Sequence, residues 1–281
     1  MLFGTSGTSL QLIAPDAPTA SVAALRLLVG SAGLVVVVCL REGGSALTRL
    51  WRMPLVWLMG LAVAGYQTLF FFGTSSAGVA VGTLISLGVA PFLAGIIGWR
   101  VREGAPGWLW AGSTVVAIAG LSLLMAGSVE TGDPIGMLAA GGAGFCYAIY
   151  TVLGVRLSRA GHAPSAVLGA SFSVGALLLA PAIVGTTWWL TPSGAAEVLW
   201  LGLVTTTAGY LLFGIGLRVL QPGHIATLTL LEPAVATVLG VLVLHEVVSL
   251  VGWIGCLLIL GALALLGLGE SRRRISMGVM A

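Results

Sequence analysis

An all-α membrane protein of about ten transmembrane helices, arranged as two inverted five-helix repeats, is the class this sequence predicts. Three observations carry that expectation. Only 7% of the 281 residues are charged while 58% are apolar, against roughly 25% charge in a soluble domain. Apolar stretches of about 20 residues with turn-like breaks recur along the chain, each long enough to cross about 30 Å of hydrocarbon. Finally, one module is written twice. Trp57 with Gly65-Tyr66 returns as Trp200 with Gly209-Tyr210. Pro91, Glu103 and Trp110-Ala111-Gly112 return as Pro233, Glu246 and Trp253-Ile254-Gly255, at an offset of roughly 143 residues throughout. Each copy holds about five apolar segments, an odd number, so the copies face opposite ways in the bilayer.

The expected spans of the first repeat, residues 1–127, are Met1–Ile13, Ser21–Leu40, Leu55–Ser75, Val79–Val101 and Gly107–Ala126. Met1–Ile13 is short: it covers about 20 Å of helix rise, less than the hydrocarbon thickness. It lacks the positive n-region and small-residue cleavage pattern of a signal peptide. Because its counterpart Pro134–Leu157 is full length, a truncated or misassigned start upstream of Met1 is expected. The second repeat, residues 134–269, continues with Ala166–Thr187, Ala196–Leu217, His224–Leu244 and Leu250–Leu268, and 270–281 form a cytoplasmic tail.

Arginine sets the orientation. Arg41, Arg49, Arg52, Arg100, Arg102, Arg156, Arg159, Arg218 and the run Arg272-Arg273-Arg274 all fall on one side of these spans, and Arg26 alone does not. The positive-inside rule makes that side cytoplasmic, with both termini there, in a multi-pass cell membrane protein. Asp16, Glu130, Asp133, Glu197 and Glu246 fall on the other side. Trp51, Trp99 and Trp108 sit near the cytoplasmic ends of their spans, and Trp188-Trp189 and Trp253 near the external ends, as an aromatic belt places them. The formal net charge of +3 reflects this asymmetry and does not point to nucleic acid.

Absent residues narrow the chemistry. The chain has no lysine, which excludes a P-loop lysine and a Schiff base to pyridoxal phosphate or retinal. Cys39, Cys146 and Cys256 lie on separate helices, and His162, His224 and His245 are scattered. Neither a metal site, a cofactor nor a disulfide framework is expected. Inverted repeats are instead the architecture of secondary transporters, whose substrate site lies near the midplane between the halves.

Function must then reside in polar residues inside the spans, where unpaired polar atoms are costly. Glu232 is the acid in the middle of a span, eight residues beyond His224 and so about 12 Å into the membrane. Thr229, Glu232 and Ala236 share a face by their spacing. Glu232 is read either as a proton-coupling carboxylate or ligand for a substrate ammonium, or as a structural partner for groups freed by Pro233. The first-repeat counterpart is Ala90-Pro91, so the carboxylate is not needed to form the kink. Pro91 and Pro233 are expected to kink their helices and open the cavity wall. Thr83, Ser86, Thr227 and Thr229 are placed to hydrogen-bond a substrate, or to satisfy backbone carbonyls of their own helices. Tyr66, Gln67, Tyr147, Tyr150 and Tyr210 suggest aromatic cavity walls with a few donors, suited to an amphipathic metabolite; packing between helices is the competing role. Arg26 could attract a carboxylate, or simply snorkel to the nearby interface. Glu103 and Glu246 are expected to cap or tether the helix that follows each. Gly252, Gly255 and Gly261 provide a close-packing surface on which a second copy could form a homodimer.

Two stretches carry a family resemblance: GVAVGTLISLGVAPFLAGIIGWRVREG with WLWAGSTVVAIAGLSLL, and ATLTLLEPAVATVLGVLVLHE with WIGCLLILGALALL. They resemble the EamA module of the drug/metabolite transporter superfamily. FGTSGTSLQLIAPDAPTASVAALRLLVG is similar to that family's first two helices and GFCYAIYTVLGVRLSRAG to its sixth. The family's first helix usually begins about ten residues earlier. The resemblance covers essentially the whole chain. It implies a ten-helix exporter of amino acids or other small metabolites, with a cavity lined mainly by helices one, three, four, six, eight and nine. An intramembrane enzyme acting on a lipid-linked substrate, and a passive small-solute channel, remain as alternatives. Glu232 as the lone deep carboxylate argues against the enzyme, which would be expected to cluster acid, base or metal ligands.

Overall fold

Within hydrocarbon, a helix pairs every backbone N–H and C=O inside its own segment. The computed structural model, which describes residues 2–14, 16–105, 107–126, 133–245 and 247–276, is built of helices. The first repeat comprises α1 (Thr5–Ile13), α2 (Thr19–Glu42), α3 (Gly44–Trp51), α4 (Pro54–Ala77), α5 (Val79–Arg100) and α6 (Trp108–Met125). The second comprises α7 (Pro134–Arg159), α8 (Pro164–Leu179) and α9 (Pro192–Leu199), which runs through a π-helical stretch, Trp200–Ala208, into α10 (Gly209–Val219). It is completed by α11 (Pro222–Leu228), α12 (Leu231–Val243) and α13 (Leu250–Ser276). Among the described residues, nine segments are long and apolar enough to cross a membrane; α1, with 9 residues, is not one of them. Helices α4, α7, α8, α9 and α11 each open on proline, whose missing N–H costs nothing in a first turn.

The repeats meet through equivalent helices. α2 packs on α8, α5 on α11, and α6 on α13. α7 lies along α4 and α5, and α1 takes the matching place beside α12 and the π-helical stretch. Large apolar side chains such as Leu40, Leu138, Leu212 and Leu257 stay exposed on the outer surface, as a lipid-facing wall requires.

Several expectations need correction. The loop after α2 contains an additional amphipathic helix, α3, which buries Leu47 and Leu50 and carries Arg49 in its last turn. The span expected over Ala166–Thr187 is regular only to Leu179 and ends in a 3-10 turn at Ala180–Ile183, where Pro181 removes a donor. The span expected over His224–Leu244 is two helices, α11 and α12. Gly255 is engaged within the chain: a Cβ there would collide with the Gly120 carbonyl of α6, so this glycine closes the α6–α13 pair rather than a dimer. Gly252 is likewise crowded by Val248 of its own chain, while Gly261 has open space beside it. Glu103 does not cap the following helix. It ties α5 to α7, its carboxylate 3.3 Å from Arg159. Arg159 also donates to the carbonyls of Glu103 (2.6 Å) and Leu220 (3.1 Å). This tie gathers three connections at the arginine-bearing end of the bundle. Glu130 and Glu246 lie outside the described residues.

Candidate functional site

The site begins with a broken helix. Pro233 has no N–H to offer the carbonyl of Thr229, four residues earlier, so the α-pattern cannot continue there. Instead the Glu232 N–H donates to the Thr229 carbonyl at 2.9 Å and the Leu230 N–H to the Thr227 carbonyl at 3.0 Å, both three residues back. The tightened turn separates α11 from α12 and places Glu232 in the first turn of α12, where the helix dipole favours a carboxylate. The freed carbonyl is therefore satisfied by backbone, and the Glu232 side chain is released from the structural role weighed above. α5, by contrast, runs through Pro91 without interruption.

Glu232 faces a cavity of about 430 Å³ enclosed by α1, α2, α4, α5 and α12. Arg26, Tyr66, Gln67 and Thr83 line it together with Ser6, Thr8 and Thr237, and Phe3, Phe70, Phe71, Val22 and Leu87 make its apolar wall. The lining reaches Val79, Met125 and Leu244, the terminal residues of α5 and α6 and the residue just past α12, at the end away from the arginines. A smaller space of about 170 Å³ shares Phe3 and Glu232 with it and extends to Thr229 and Phe213. α1 is held against this wall closely: a Cβ on Gly4 would come within 2.9 Å of the Glu232 carbonyl oxygen.

The polar side chains of these helices divide into two groups. In the first are those bound up in the fold. Thr227 accepts from Trp110 Nε1 at 3.1 Å and donates to the Gly223 carbonyl at 2.8 Å, so the Thr114 hydroxyl 2.8 Å away must be its donor. That buried node locks α6 to α11. Tyr147 Oη lies 3.0 Å from Thr229 Oγ1, which itself donates to the Ala226 carbonyl. Ser86 belongs to neither group: it is fully buried against α7, clear of the cavity lining, and its hydroxyl has no partner among the described residues. In the second group are Arg26, Gln67, Thr83 and Glu232. Among the described residues no side-chain hydrogen bond or ion pair engages them, so their donors and acceptors remain open to the cavity. Arg26 and Glu232 still feel each other electrostatically, and Tyr66 feels both.

The four tyrosines also part company. Tyr66 lines the cavity, while Tyr147, Tyr150 and Tyr210 stack behind it. Ring centroids are 5.7 Å apart for Tyr66–Tyr147, 4.8 Å for Tyr147–Tyr150 and 4.4 Å for Tyr210–Phe172. By helix rise Tyr150 and Tyr210 stand about 13 Å from the arginine-bearing ends of their helices, and Tyr66 about 18 Å. The aromatic layer thus stands between the cavity and that end.

Sequence reasoning left one feature open and passed over two. Arg26 does not snorkel away but lines the cavity; its depth, about 10 Å beyond the start of α2, was the available signal. Glu197, assigned to an external edge, is fully buried in α9, with one oxygen accepting from Ser9 at 2.9 Å and the other without a partner among the described residues. The π-helical stretch, where Thr206 and Thr207 bond carbonyls five residues back, left no mark in the hydropathy pattern.

Residues 134–268 match the model of the EamA-like transporter family. The uncharacterized transporter YwfM of Bacillus subtilis is 36% identical over 268 residues, covering 94% of this chain and 89% of that protein. The threonine/homoserine exporter RhtA of Escherichia coli K12 is 27% identical over 260 residues, covering 89% of this chain and 81% of its own. One protein of known crystal structure superposes with a TM-score of 0.81 at 22% identity over 96% of this chain and 94% of that one, a likeness of fold.

Proposed function

This chain belongs to the EamA-like transporter family, and from that premise we propose that it exports small amphipathic metabolites, amino acids foremost, by alternating access. A single observation carries the proposal: four polar groups, Arg26, Gln67, Thr83 and Glu232, converge uncommitted on one cavity between the repeats. Uncommitted polar groups inside a membrane are expensive unless a ligand or water uses them. A broken helix beside the cavity fits the same reading, since discontinuous helices form the midplane sites of such transporters. The threonine and homoserine named for RhtA supply the first substrates to test.

In this reading residues 1–127 and 134–269 are the two halves that rock, and the arginine-bearing end is cytoplasmic. The cavity then faces the outside, shut from the cytoplasm by the aromatic layer and by the Arg159 tie. An exposed tie of this kind is worth about 0–1 kcal/mol, weak enough to open in each cycle. Glu232 couples the cycle by taking up and releasing a proton. Among the described residues no cluster of His, Cys, Asp or Glu gathers around it, which favours transport over catalysis. Labelling would test the orientation: a cysteine near Thr131 should react from outside the cell and one near Gly161 should not, and the reverse pattern would overturn it.

The functional test is counterflow in proteoliposomes. Labelled threonine or homoserine should exchange with internal unlabelled substrate, slowly and with saturation. Flux that rises linearly with concentration would instead indicate a channel, and no flux of any small metabolite would reject the transport reading.

A further inference from the structure

We infer that Arg26 is the anchor for a substrate carboxylate, and that Arg26 and Glu232 together select a zwitterion. The inference rests on the transport reading above and adds the chemistry of its ligand. Three observations lead to it.

The first is that Arg26 has no hydrogen-bond or ion-pair partner among the described residues. A guanidinium carries five N–H donors and stays charged under all conditions. Among the described residues none of them is hydrogen-bonded or ion-paired, and Arg26 is half-buried in the cavity wall. The remaining arginines of the described membrane-spanning region sit at helix ends, where water and headgroups solvate them. A cation kept inside the span without a counter-ion is unfavourable until an anion arrives. Carboxylate is the anion whose two oxygens match the guanidinium fork.

The second observation is its placement. α2 is pressed against the π-helical stretch one turn beyond Arg26: added Cβ atoms on Gly30 and Gly202 would collide with Thr206 and Val29. Thr207 donates to the Gly30 carbonyl at 3.0 Å. Close backbone contact on both sides fixes the turn that carries Arg26, so the guanidinium is presented by a rigid element.

The third is its companion. Glu232 lines the same cavity from α12, beyond ion-pairing distance of Arg26 yet within its electrostatic reach. A carboxyl and a guanidinium held apart in one cavity offer an acceptor to an ammonium and a fork to a carboxylate. The wall of Phe70, Phe71 and Leu87 receives an apolar substituent. A cavity of about 430 Å³ is ample for one α-amino acid. A lone carboxylic acid would leave Glu232 unanswered, and a lone amine would leave Arg26 so.

The test compares three probes on the full-length protein in proteoliposomes. They are neutral α-amino acids, their carboxamides, in which the carboxylate is neutralised, and their N-acetyl derivatives, in which the ammonium is removed. Each competes with counterflow of the labelled amino acid, and each is also scored by thermal shift of the detergent-purified protein. In the wild type the acid should outcompete its carboxamide by about 10- to 100-fold, the range of a charged hydrogen bond. R26M should bind acid and carboxamide equally, at the wild-type carboxamide level, which also shows that the variant is folded. R26K should recover part of the preference for the acid. The N-acetyl derivatives should lose affinity in the wild type, and E232Q should abolish that loss. Persistence of the acid-over-amide preference in R26M overturns the proposal, as does a wild type that treats the two alike. In that last case saturable counterflow would leave the transport reading intact. Conversely, an Arg26-dependent thermal shift without any flux would uphold the site and reject transport.

Discussion

Helix α5 and the pair α11–α12 are the same module seen from opposite faces of the membrane, and they behave differently. Both carry a proline at matched positions, Pro91 and Pro233. α5 continues through its proline and keeps Ala90 buried at 2% exposure. The second copy breaks, and Glu232, the residue matching Ala90, opens onto the cavity. The difference teaches that proline alone does not break a membrane helix. A neighbouring N–H must also find the stranded carbonyl, as that of Glu232 finds Thr229. One copy is thereby a wall and the other a reactive edge.

The most severe way to break the comparison is to move the carboxylate. Ala90 packs close to Gly144 of α7, so Ala90→Glu buries a charge with no opening to receive it. The cost is several kcal/mol, and thermal unfolding in detergent should show little folded protein. A variant of normal stability would mean that the two positions are interchangeable after all.

Glu232→Gln removes the ionisable group and keeps its shape. At saturating substrate, accumulation driven by a pH gradient should fall to background while exchange of labelled substrate persists with a raised half-saturation concentration, because uphill work needs a proton loaded and released per cycle and the ammonium has lost its carboxylate. Fluxes measured with and without the gradient separate the alternatives. Accumulation retained at saturating substrate, with only the half-saturation concentration raised, would indicate an ammonium ligand without coupling, and full accumulation at every concentration would sink both roles.

The prolines come next. Pro233→Ala restores an N–H that can compete for the Thr229 carbonyl, and should slow exchange several-fold while raising thermal stability. Pro91→Ala, in a helix already continuous, should leave exchange little changed. Equal effects from the two would erase the distinction between the copies.

The smallest effects separate bound-up from open polar groups. Thr227→Val should lower stability by about 1–3 kcal/mol, since Trp110 and Thr114 lose their shared acceptor, while substrate affinity stays unchanged. Thr83→Val should do the reverse, weakening competition by up to about tenfold with no shift in unfolding. Calorimetry and competitive counterflow on both variants check the crossing.

Much of the fold was legible from residues alone. Apolar length located the spans, though the starts expected at Leu55, Ala166 and Ala196 fall one to four residues after the prolines, Pro54, Pro164 and Pro192, that open those helices. The candidate site was only partly legible. Glu232, Tyr66, Gln67 and Thr83 do line one cavity. Tyr147 and Thr227 are equally polar and equally deep, yet their hydroxyls are taken by partners 82 and 117 residues away. Helical spacing cannot distinguish a hydroxyl that meets a cavity from one that meets another helix. Arg26 was left open for the same reason, because whether a cation snorkels depends on what stands between it and the interface.

The sequence by itself determined that this chain spans the membrane repeatedly, in two inverted copies, with its arginines gathered at one end. Those are sums over single segments: about 20 apolar residues match the hydrocarbon thickness whatever lies beside them. Only the tertiary structure decided which polar groups stay uncommitted. A hydrogen bond inside the membrane needs a specific partner within about 3 Å, and that partner is supplied by a different helix, or is withheld, leaving Arg26 and Glu232 facing one another across a cavity.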